Sequence, residues 1–555
     1  MRKTNRVGFA TLLVAFLGIH FLQAGSATWM LNPASSDWNI PTNWTPATVP
    51  NGPNDTATFD VSNTSNVLVA LETEVDGIVF NAGASPFTIT VSSNDSFAKS
   101  LTISGVGIIN NSGVTQNFVT TSVPVGHIDF KSSATAGNNT TFTNLGGSAG
   151  GTAVNFNDNS TAGSATIIVN GGTASHIQPS FLDFLDNATA ANGTFLCYGG
   201  SAIGGTIVIS GRSTAADGTF LAYGGMDVDH NGGTIELGSE ATAGDGVFTL
   251  EGSDFAGANG AQMLISSTST AGNATLIVDG GKVAGGNLFF QNNATGGTAR
   301  VEVFSNGRLD ISGHELPGIT IGSIEGDGLI LVGANQLMTG NNNVSTTFSG
   351  LLQDGGFYGG SGGALAKIGN GKLTLSGANT YTGGTIVNAG TLFVTNGRGS
   401  GTGRGAVQIN AGKLGGTGKI AGNVVVGDGA APEAYLTPGV TNGIPAILTL
   451  QKKVTFRADG TYHFGYKSSN LTADYLIVKG VTIGSGAELF FGPIDSGTLP
   501  IGTVFIVFDN RAATPIAGTF STIADGGTVT VGSNTFQANY EGGDGNDLTL
   551  TVVSN

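Results

Sequence analysis

The sequence has one cysteine, Cys197, among its 555 residues. An intrachain disulfide is therefore excluded, and the fold must be held by packing and by hydrogen bonds between strands. Basic residues are also scarce, since 21 Lys and Arg stand against 37 Asp and Glu for a formal net charge of −16. That surplus excludes nucleic acid as a partner and disfavours anionic membrane lipid, because no basic run interrupts it.

Segments that would form a helix are nearly absent, because 92 of the residues are glycine. Glycine costs about 1 kcal/mol per helix position relative to alanine, while Thr, Val, Ile and Asn favour strands and turns. Disorder is the other explanation for so much glycine and for a charged content of only 10%, but the 39% of hydrophobic residues fall in regular alternating runs. The composition therefore predicts an all-β fold.

Long apolar runs are missing except at the N-terminus. There, Arg2, Lys3 and Arg6 precede an apolar run over residues 7–22 and small residues at 24–27. This order is typical of a secretory signal peptide, so residues 1–27 are predicted to be removed on export. An uncleaved anchor is the alternative, but the run is shorter than the roughly 20 residues that a bilayer span needs. No stable membrane insertion is expected.

Internal repetition is the strongest pattern in the rest of the chain. A tetrad of the T-A-G, T-A-A or T-G-G type recurs at a spacing of 25 to 28 residues. It begins at Thr135, Thr161, Thr189, Thr214, Thr242, Thr270 and Thr295. A fixed period of this length predicts a solenoid in which each repeat is one turn of a parallel β-helix. With strands about 4.8 Å apart, such a chain makes a rod on the order of 100 Å long.

Two apolar columns follow the tetrads, six and eight residues after six of the seven threonines. The first column is Ile167, Phe195, Phe220, Phe248, Leu276 and Val301, and the second is Val169, Cys197, Ala222, Leu250, Val278 and Val303. Side chains two apart on a strand share a face, so both columns are predicted to point inward and stack from turn to turn. Cys197 is therefore predicted to be a buried small hydrophobe and not a reactive thiol.

The N-terminal segment differs from the repeats, since it holds all three tryptophans, Trp29, Trp38 and Trp44, and a cluster of prolines. The end of a solenoid exposes an apolar cross-section that large aromatic side chains can cover, which predicts a cap. Clustered tryptophans also stack on sugar rings, so a carbohydrate platform is the alternative. After the signal peptide, four segments are predicted: the cap and first turns at 28–122, the repeat solenoid at 123–315, further solenoid at 316–445, and a β-rich region that closes it at 446–555.

Residues 369–394 read GNGKLTLSGANTYTGGTIVNAGTLFV. Short alternating runs lie between glycine-rich turns, which predicts three short strands. The segment closely resembles the passenger-associated β-strand repeat of bacterial autotransporter proteins, here assigned to residues 363–394. The resemblance implies a long exported passenger built as a β-helix, in which this motif helps the chain to cross the outer membrane and to start folding.

Two other stretches are similar to the same class of protein. The pattern ATW…DW…TNW…VPNGPNDTATF resembles the start of exported proteins that carry such repeats, and the tail YEGGDGNDLTLT resembles the end of a passenger. The membrane barrel of the family is not expected after Val394, because it needs many strands of about ten residues with lipid-facing aromatics. Export beyond the inner membrane is then expected to use another system, or the protein stays periplasmic.

Catalysis is the competing hypothesis, because parallel β-helices also build pectate-lyase-like enzymes and polysaccharide hydrolases. The candidate residues are Asp183 and Asp186 in FLDFLDN, and Asp227, Asp229 and His230 in MDVDH. Paired carboxylates are what glycoside hydrolysis requires, but aspartate is also a common turn residue. The histidines at 127, 176, 314 and 463 have no metal-ligand spacing. We therefore assign no catalytic, cofactor-binding or metal-binding residue and expect no enzyme and no cofactor.

A short glycine and aspartate motif lies close to the C-terminus. Residues 542–547, GGDGND, match the first six positions of the calcium-binding nonapeptide G-G-x-G-x-D. Calcium rolls need tandem copies, whereas this motif occurs once and Thr549 takes its apolar position. A tight hairpin is the alternative interpretation.

Together these patterns predict an exported, non-enzymatic β-solenoid that acts in adhesion or envelope architecture. Its location is expected to be the cell surface or the extracellular space, with the periplasm possible. The long, weakly charged β surface suits polysaccharide, other cell envelopes or copies of itself as partners. A secreted β-helix enzyme acting on polysaccharide is the alternative, and it requires the four aspartates to converge in a groove.

Overall fold

The computed structural model describes residues 25–92, 97–122, 125–147, 151–172, 179–430, 433–439 and 444–555. These residues form a parallel β-solenoid of about 17 turns, which confirms the predicted fold class. They contain 48 strands and one short 3-10 helix, Pro41–Asn43. Most of the predicted signal peptide and His176 lie outside the described residues. Within these ranges, no helix is both long and apolar enough to cross a membrane. The predicted segment boundaries stay predictions.

One side of the solenoid is a 15-stranded sheet, here called sheet 1. Its strands are parallel, except that the first two pair antiparallel. In stacking order they are Trp44–Thr45, Ala27–Trp29, Gly52–Phe59, Thr73–Phe80, Lys99–Asn110, Gly126–Phe130, Ala153–Phe156, Phe181–Phe184, Thr206–Ile209, Thr234–Leu237, Gln262–Ile265, Asn287–Phe290, Arg308–Asp310, Leu329–Leu331 and Leu351–Gln353.

A second parallel stack, sheet 2, supplies the other strand of each turn. Its strands are Asn66–Val69, Thr88–Val91, Gln116–Thr120, Thr140–Asn144, Thr166–Val169, Thr194–Cys197, Thr219–Ala222, Val247–Leu250, Thr275–Val278, Gly296–Val303 and Gly318–Gly326. Alternate residues are buried, as in Thr166–Val169 and Thr275–Val278. This alternation follows from the pleat, which sends successive side chains to opposite faces.

The recurring tetrad forms the third side. The seven threonines from Thr135 to Thr295 pair in sequence as single parallel bridges, one per turn, which confirms the repeat. The hydroxyl of Thr161 accepts the N–H of Gly163 at 3.1 Å, and Thr242 does the same for Gly244 at 3.0 Å. Both glycines have φ near +60°, a conformation that favours glycine. The alanine between Thr and Gly is buried wherever it occurs. In the T-A-G sequence, the threonine therefore forms the bridge to the next turn, the alanine packs in the core, and the glycine forms the turn.

Sheet 2 divides beyond the strand Gly318–Gly326, whose first half pairs with one strand and whose last residue pairs with another. Every later turn therefore has two strands on this side. The first branch contains Gln336–Thr339, Ala364–Lys367, Gly384–Val387, Val407–Ile409, Val424–Val426, Val454–Phe456 and Val481–Ile483. The second contains Thr346–Phe348, Lys372–Leu375, Thr391–Val394, Gly412–Gly416, Ala434–Pro438, Gly460–Lys467 and Glu488–Pro493, and Thr472–Ala473 folds back on it.

A third sheet closes the C-terminal end. Its strands are Lys419–Ile420, Ile447–Leu450, Tyr475–Val478, Val504–Asn510, Asp547–Ser554, Asn534–Gly542 and Thr528–Val531. The first four are parallel, and the last three join antiparallel. This reversal ends the parallel series, because a hairpin replaces the open edge on which another turn could stack.

The core consists of columns of apolar side chains stacked in register along the axis. Phe195, Phe220 and Phe248 occupy one register position of sheet 2, are fully buried and lie 4.5 Å apart between ring centroids. The second predicted column is equally in register, from Val169 through Cys197 to Ala222 and beyond. The inward direction of both columns is therefore confirmed.

The three tryptophans are in the core of the first turns. Trp29, Trp38 and Trp44 are at most 1% exposed, and they pack edge to face with ring centroids 4.9 to 5.0 Å apart. Each indole N–H donates to a backbone carbonyl, for example Trp44 Nε1 to the oxygen of Trp38 at 2.7 Å. Buried rings with paired N–H groups cannot stack on a sugar, so the alternative of a tryptophan platform is excluded and the cap is supported.

Cys197 is fully buried, as predicted, and its Sγ donates to the carbonyl of Gly205 at 3.0 Å. Burial raises the pKa of its thiol to about 12. Because the thiolate is the reactive species, a maleimide at pH 8 is expected to leave the folded protein unlabelled and to label it fully in guanidinium. Mass spectrometry gives the labelled fraction. Rapid labelling without denaturant would contradict the inward register.

Candidate functional site

The aspartates that a polysaccharide enzyme would need do not form a cluster. Asp183 lies on a strand of sheet 1, in register with Asn155 on one side and Val208 on the other. Asp227 and Asp229 lie in the corner that leads into the strand Thr234–Leu237, two turns further along. Asp183 therefore has no carboxylate in register on either adjacent turn, which does not match the paired acids of glycoside hydrolysis.

Asp186 has a structural role in a turn at the far end of the Asp183 strand. Its backbone is left-handed, with φ of 53°, and its carboxylate accepts the N–H of Asp158 at 3.1 Å. Asp158 repeats the arrangement one turn earlier, where its carboxylate accepts the N–H of Ser132 at 2.8 Å. Asp229 is also left-handed, with φ of 59°. These positions are those of turn aspartates, which tolerate this conformation and satisfy nearby backbone groups.

The described histidines are separate from one another. Both ring nitrogens of His314 lie against backbone carbonyls, at 2.6 Å from Glu315 O and 2.7 Å from Ala294 O. His463 stacks on Phe490 with centroids 4.5 Å apart, and burial lowers its pKa. Across the described ranges, no three His, Cys, Asp or Glu side chains are placed to hold a metal ion.

The GGDGND segment forms the turn between the strands Asn534–Gly542 and Asp547–Ser554. The N–H of Gly545 donates to the carbonyl of Gly542 at 2.9 Å. The carboxylate of Asp547 accepts the backbone N–H of Asn510 at 2.8 Å. The hairpin interpretation accounts for these contacts.

Asp474 is a buried acid in the C-terminal region and is 6% exposed. Its two oxygens accept the N–H groups of Ala446 at 2.7 Å and Gly465 at 3.0 Å. Burial raises the pKa of this carboxyl from 3.8 to about 7, against the lowering effect of the two hydrogen bonds. Asp183 shifts in the same direction, with a pKa of about 6, because of burial and then the charge of Glu236.

These shifts predict that stability falls as the pH rises. A carboxyl whose pKa is higher in the folded state stabilises the fold fully below about pH 4, and that contribution is lost as the pH approaches 7. For Asp474 the change between pH 5 and 8 is on the order of 3 kcal/mol. Urea unfolding at both pH values measures it, and Asp474→Asn is expected to remove most of the difference. An unchanged pH dependence in that variant would contradict the assignment.

Residues 354–363, DGGFYGGSGG, form an exposed aromatic segment that was not predicted from the sequence and is here called the aromatic loop. It follows the last strand of sheet 1 and folds back over the outer face of that sheet, where Phe357 faces Phe289 at 6.4 Å between centroids. Phe357 is 78% exposed and Tyr358 is 59% exposed. The sequence does contain a signal for this exposure, which is the pair of adjacent aromatic residues between glycines. Such a segment does not form a strand that could bury the two rings.

The chain is similar to a protein family, to a curated adhesin and to several solved structures. Residues 365–394 match the family described as passenger-associated-transport-repeat, which confirms the resemblance drawn from Gly369 to Val394. In the solenoid the matched residues form the strands Lys372–Leu375, Gly384–Val387 and Thr391–Val394 and most of Ala364–Lys367. The repeat is therefore part of the stacked core and not an appended segment.

The relative is the adhesin BmaC autotransporter of Brucella suis biovar 1 (strain 1330), which is 31% identical over 140 residues. The match covers 25% of this chain and 4% of the relative. Among the solved structures, the Haemophilus influenzae Hap adhesin matches with 11% identity and a TM-score of 0.30. That alignment covers 90% of this chain and 64% of the Hap chain.

Proposed function

We propose that this chain, a parallel β-solenoid with a passenger-associated transport repeat, is an exported passenger-type protein that acts in adhesion at the cell surface. The observation that carries the proposal is the repeat itself, which lies in the stacked turns at residues 365–394. The N-terminal residues with the order of a secretory signal support export. The partial match to an autotransporter adhesin supports the adhesive role.

The proposed role is non-enzymatic. Asp186 and Asp474 both accept backbone N–H groups, one in a turn and the other in a buried position. The long outer faces of the sheets present rows of side chains in register, with one residue of each row supplied by each turn. Such a surface suits multivalent contact with an extended partner, because each turn adds a further contact.

Protease treatment of intact cells tests the surface location. The full chain is expressed with an epitope tag inserted at the exposed turn 501–503 of the C-terminal region, and cells and medium are assayed in parallel. Loss of the tag from intact cells, with a periplasmic marker protected, is the expected result. A tag that is degraded only after the outer membrane is permeabilised would overturn the proposal in favour of a periplasmic protein.

Adhesion itself needs a second assay. Cells that display the chain are expected to bind surfaces coated with polysaccharide or with envelope material more than cells with an empty vector do. A matched control is a sample of the same displaying cells after surface proteolysis, which removes the solenoid from them. Equal binding by displaying, shaved and empty cells would overturn the adhesive role, even where surface display is found.

A further inference from the structure

The aromatic loop is held in place by hydrogen bonds along its length. The N–H of Phe357 donates to Oδ2 of the buried Asp310 at 2.6 Å, and the N–H of Tyr358 donates to Oγ of Ser312 at 3.1 Å. At the ends of the loop, Asp354 accepts two backbone N–H groups at 3.1 and 3.2 Å. The exposed position of the two rings is therefore a fixed feature of the fold.

These rings are exposed although burial of each would be favourable. Burying a phenylalanine side chain contributes about 1.5–3 kcal/mol, so a fold that fixes Phe357 at 78% exposure leaves that energy unused. Phe357 and Tyr358 meet edge to face, with centroids 5.2 Å apart and planes at 73°. Together with Phe289 below them, they form a contiguous aromatic surface of the kind that marks a binding site.

The floor beside the rings is mainly apolar and carries several polar side chains. Phe357 lines two clefts of about 170 and 400 Å³ on the outer face of sheet 1, together with Phe289 and leucine side chains. The polar groups of the lining include the carboxamides of Gln262, Gln291 and Gln353 and the guanidinium of Arg308. The backbone N–H of Arg308 donates to the carbonyl of Gly286 at 3.0 Å, whereas its guanidinium has no hydrogen-bond or ion-pair partner among the described residues. Carboxamides both donate and accept hydrogen bonds, and a free guanidinium donates five.

This combination fits the chemistry of a sugar chain. A pyranose ring has a face of C–H bonds that packs on an aromatic ring, and a rim of hydroxyls that both donate and accept. The register places Gln262, Asn287 and Arg308 on successive turns, about 4.8 Å apart. A repeating ligand along the axis therefore meets a polar group at each step.

The charges of the site and of the whole chain favour a neutral polysaccharide over an anionic one. The lining holds one cation, Arg308, and two carboxylates, Glu236 and the buried Asp310, while the whole chain has a net charge of −16. A polyanion would be repelled by the protein as a whole. We propose that the outer face of sheet 1 beneath the aromatic loop binds a neutral polysaccharide. The inference deepens the proposed function, on which it rests, by naming the class of partner.

Affinity electrophoresis of the purified full chain tests the site. The probes are hydroxyethylcellulose, mixed-linkage β-glucan, xyloglucan, galactomannan and dextran, with heparin as the polyanion. At least one neutral polysaccharide is expected to retard the protein, and heparin is not. Phe357→Ala and Tyr358→Ala are each expected to weaken binding tenfold or more, because exposed aromatic anchors carry most of the energy of such contacts.

Phe255→Ala is the matched control, since Phe255 is another exposed phenylalanine, at 43%, and does not line either cleft. It is expected to leave retardation unchanged, and all three variants are expected to keep the thermal midpoint of the parent chain. Binding that survives both loop variants would overturn the site, as would retardation by none of the neutral probes. Concentration-dependent self-association that Phe357→Ala abolishes would overturn it in favour of a second copy.

The proposed surface adhesion and the proposed polysaccharide site can be disproved independently of each other. Loss of polysaccharide binding in vitro, while displayed cells still adhere, removes this inference and leaves the adhesive role. Protection of the chain from surface proteolysis, while the purified protein binds a glucan through Phe357, removes the surface location and leaves the site.

Discussion

Trp44→Ala is expected to lower the free energy of unfolding of the N-terminal turns by about 3–5 kcal/mol, the usual cost of truncating a buried large aromatic side chain. The ring is 1% exposed and contacts Trp29, Trp38 and Phe59, with centroids 5.0, 4.9 and 5.6 Å away. Its loss leaves a cavity in the first of the described turns, where the described residues place no further strand beyond Trp44–Thr45 to fill the space. It also removes the donor to the carbonyl of Trp38.

The effect should be local, because each turn contacts only its neighbours. Hydrogen exchange is expected to accelerate in the first turns, up to about Phe80, and to remain slow in the repeats around Phe220. The control is Ile40→Ala, which truncates a residue of the same cap that is 39% exposed and is expected to change stability by less than about 1 kcal/mol. Equal exchange in the two variants would mean that the tryptophans do not support the cap.

Phe220→Ala is expected to cost about 3–5 kcal/mol in the middle of the rod. Phe220 is fully buried between Phe195 and Phe248, so the cavity interrupts a continuous aromatic stack. Both neighbouring rings are held by their own strands, which limits how far they can move into the space. Denaturant unfolding is expected to become biphasic, because the two halves of the solenoid are then coupled less strongly.

Leu221→Ala is the matched control for this prediction. Leu221 is the next residue of the same strand and points outward, where it is only partly buried. Truncation of a large apolar side chain to alanine is therefore tested in the same strand on the opposite face, with an expected cost of less than about 1 kcal/mol. A larger loss for Leu221→Ala than for Phe220→Ala would contradict the register on which the core description depends.

The repeated half of the fold could be predicted from the sequence because its pattern is local. Period and alternation together decide which side chain enters the core, so Phe195 and Cys197 could be placed inside from spacing alone. The threonine tetrad was recognised as a period but not as a bridge and turn. Its hydroxyl contact to the N–H of Gly163 depends on a backbone conformation that spacing does not encode.

Other features depend on contacts between distant parts of the chain. Sheet 2 divides at Gly318–Gly326 because this one strand pairs with two others. The division could not be predicted from the periodicity of the sequence. The tryptophans were compatible with a cap and with a sugar platform until their burial was known. The candidate binding surface joins Phe357 to Phe289 across 68 positions, and the loop is fixed there by Asp310, which reads as an ordinary strand residue. Long-range placement of this kind follows from the complete fold.

The threonine ladder has a consequence for how such a chain can change its length. Each threonine from Thr135 to Thr295 pairs only with the corresponding residue one turn away, so most contacts join residues separated by one period, however many turns there are. Removing or duplicating one whole period within this ladder leaves each threonine with a threonine to pair with one turn away. The reach of the molecule is therefore a quantity that recombination between repeats can adjust in steps of about 4.8 Å, without a new packing solution at the junction.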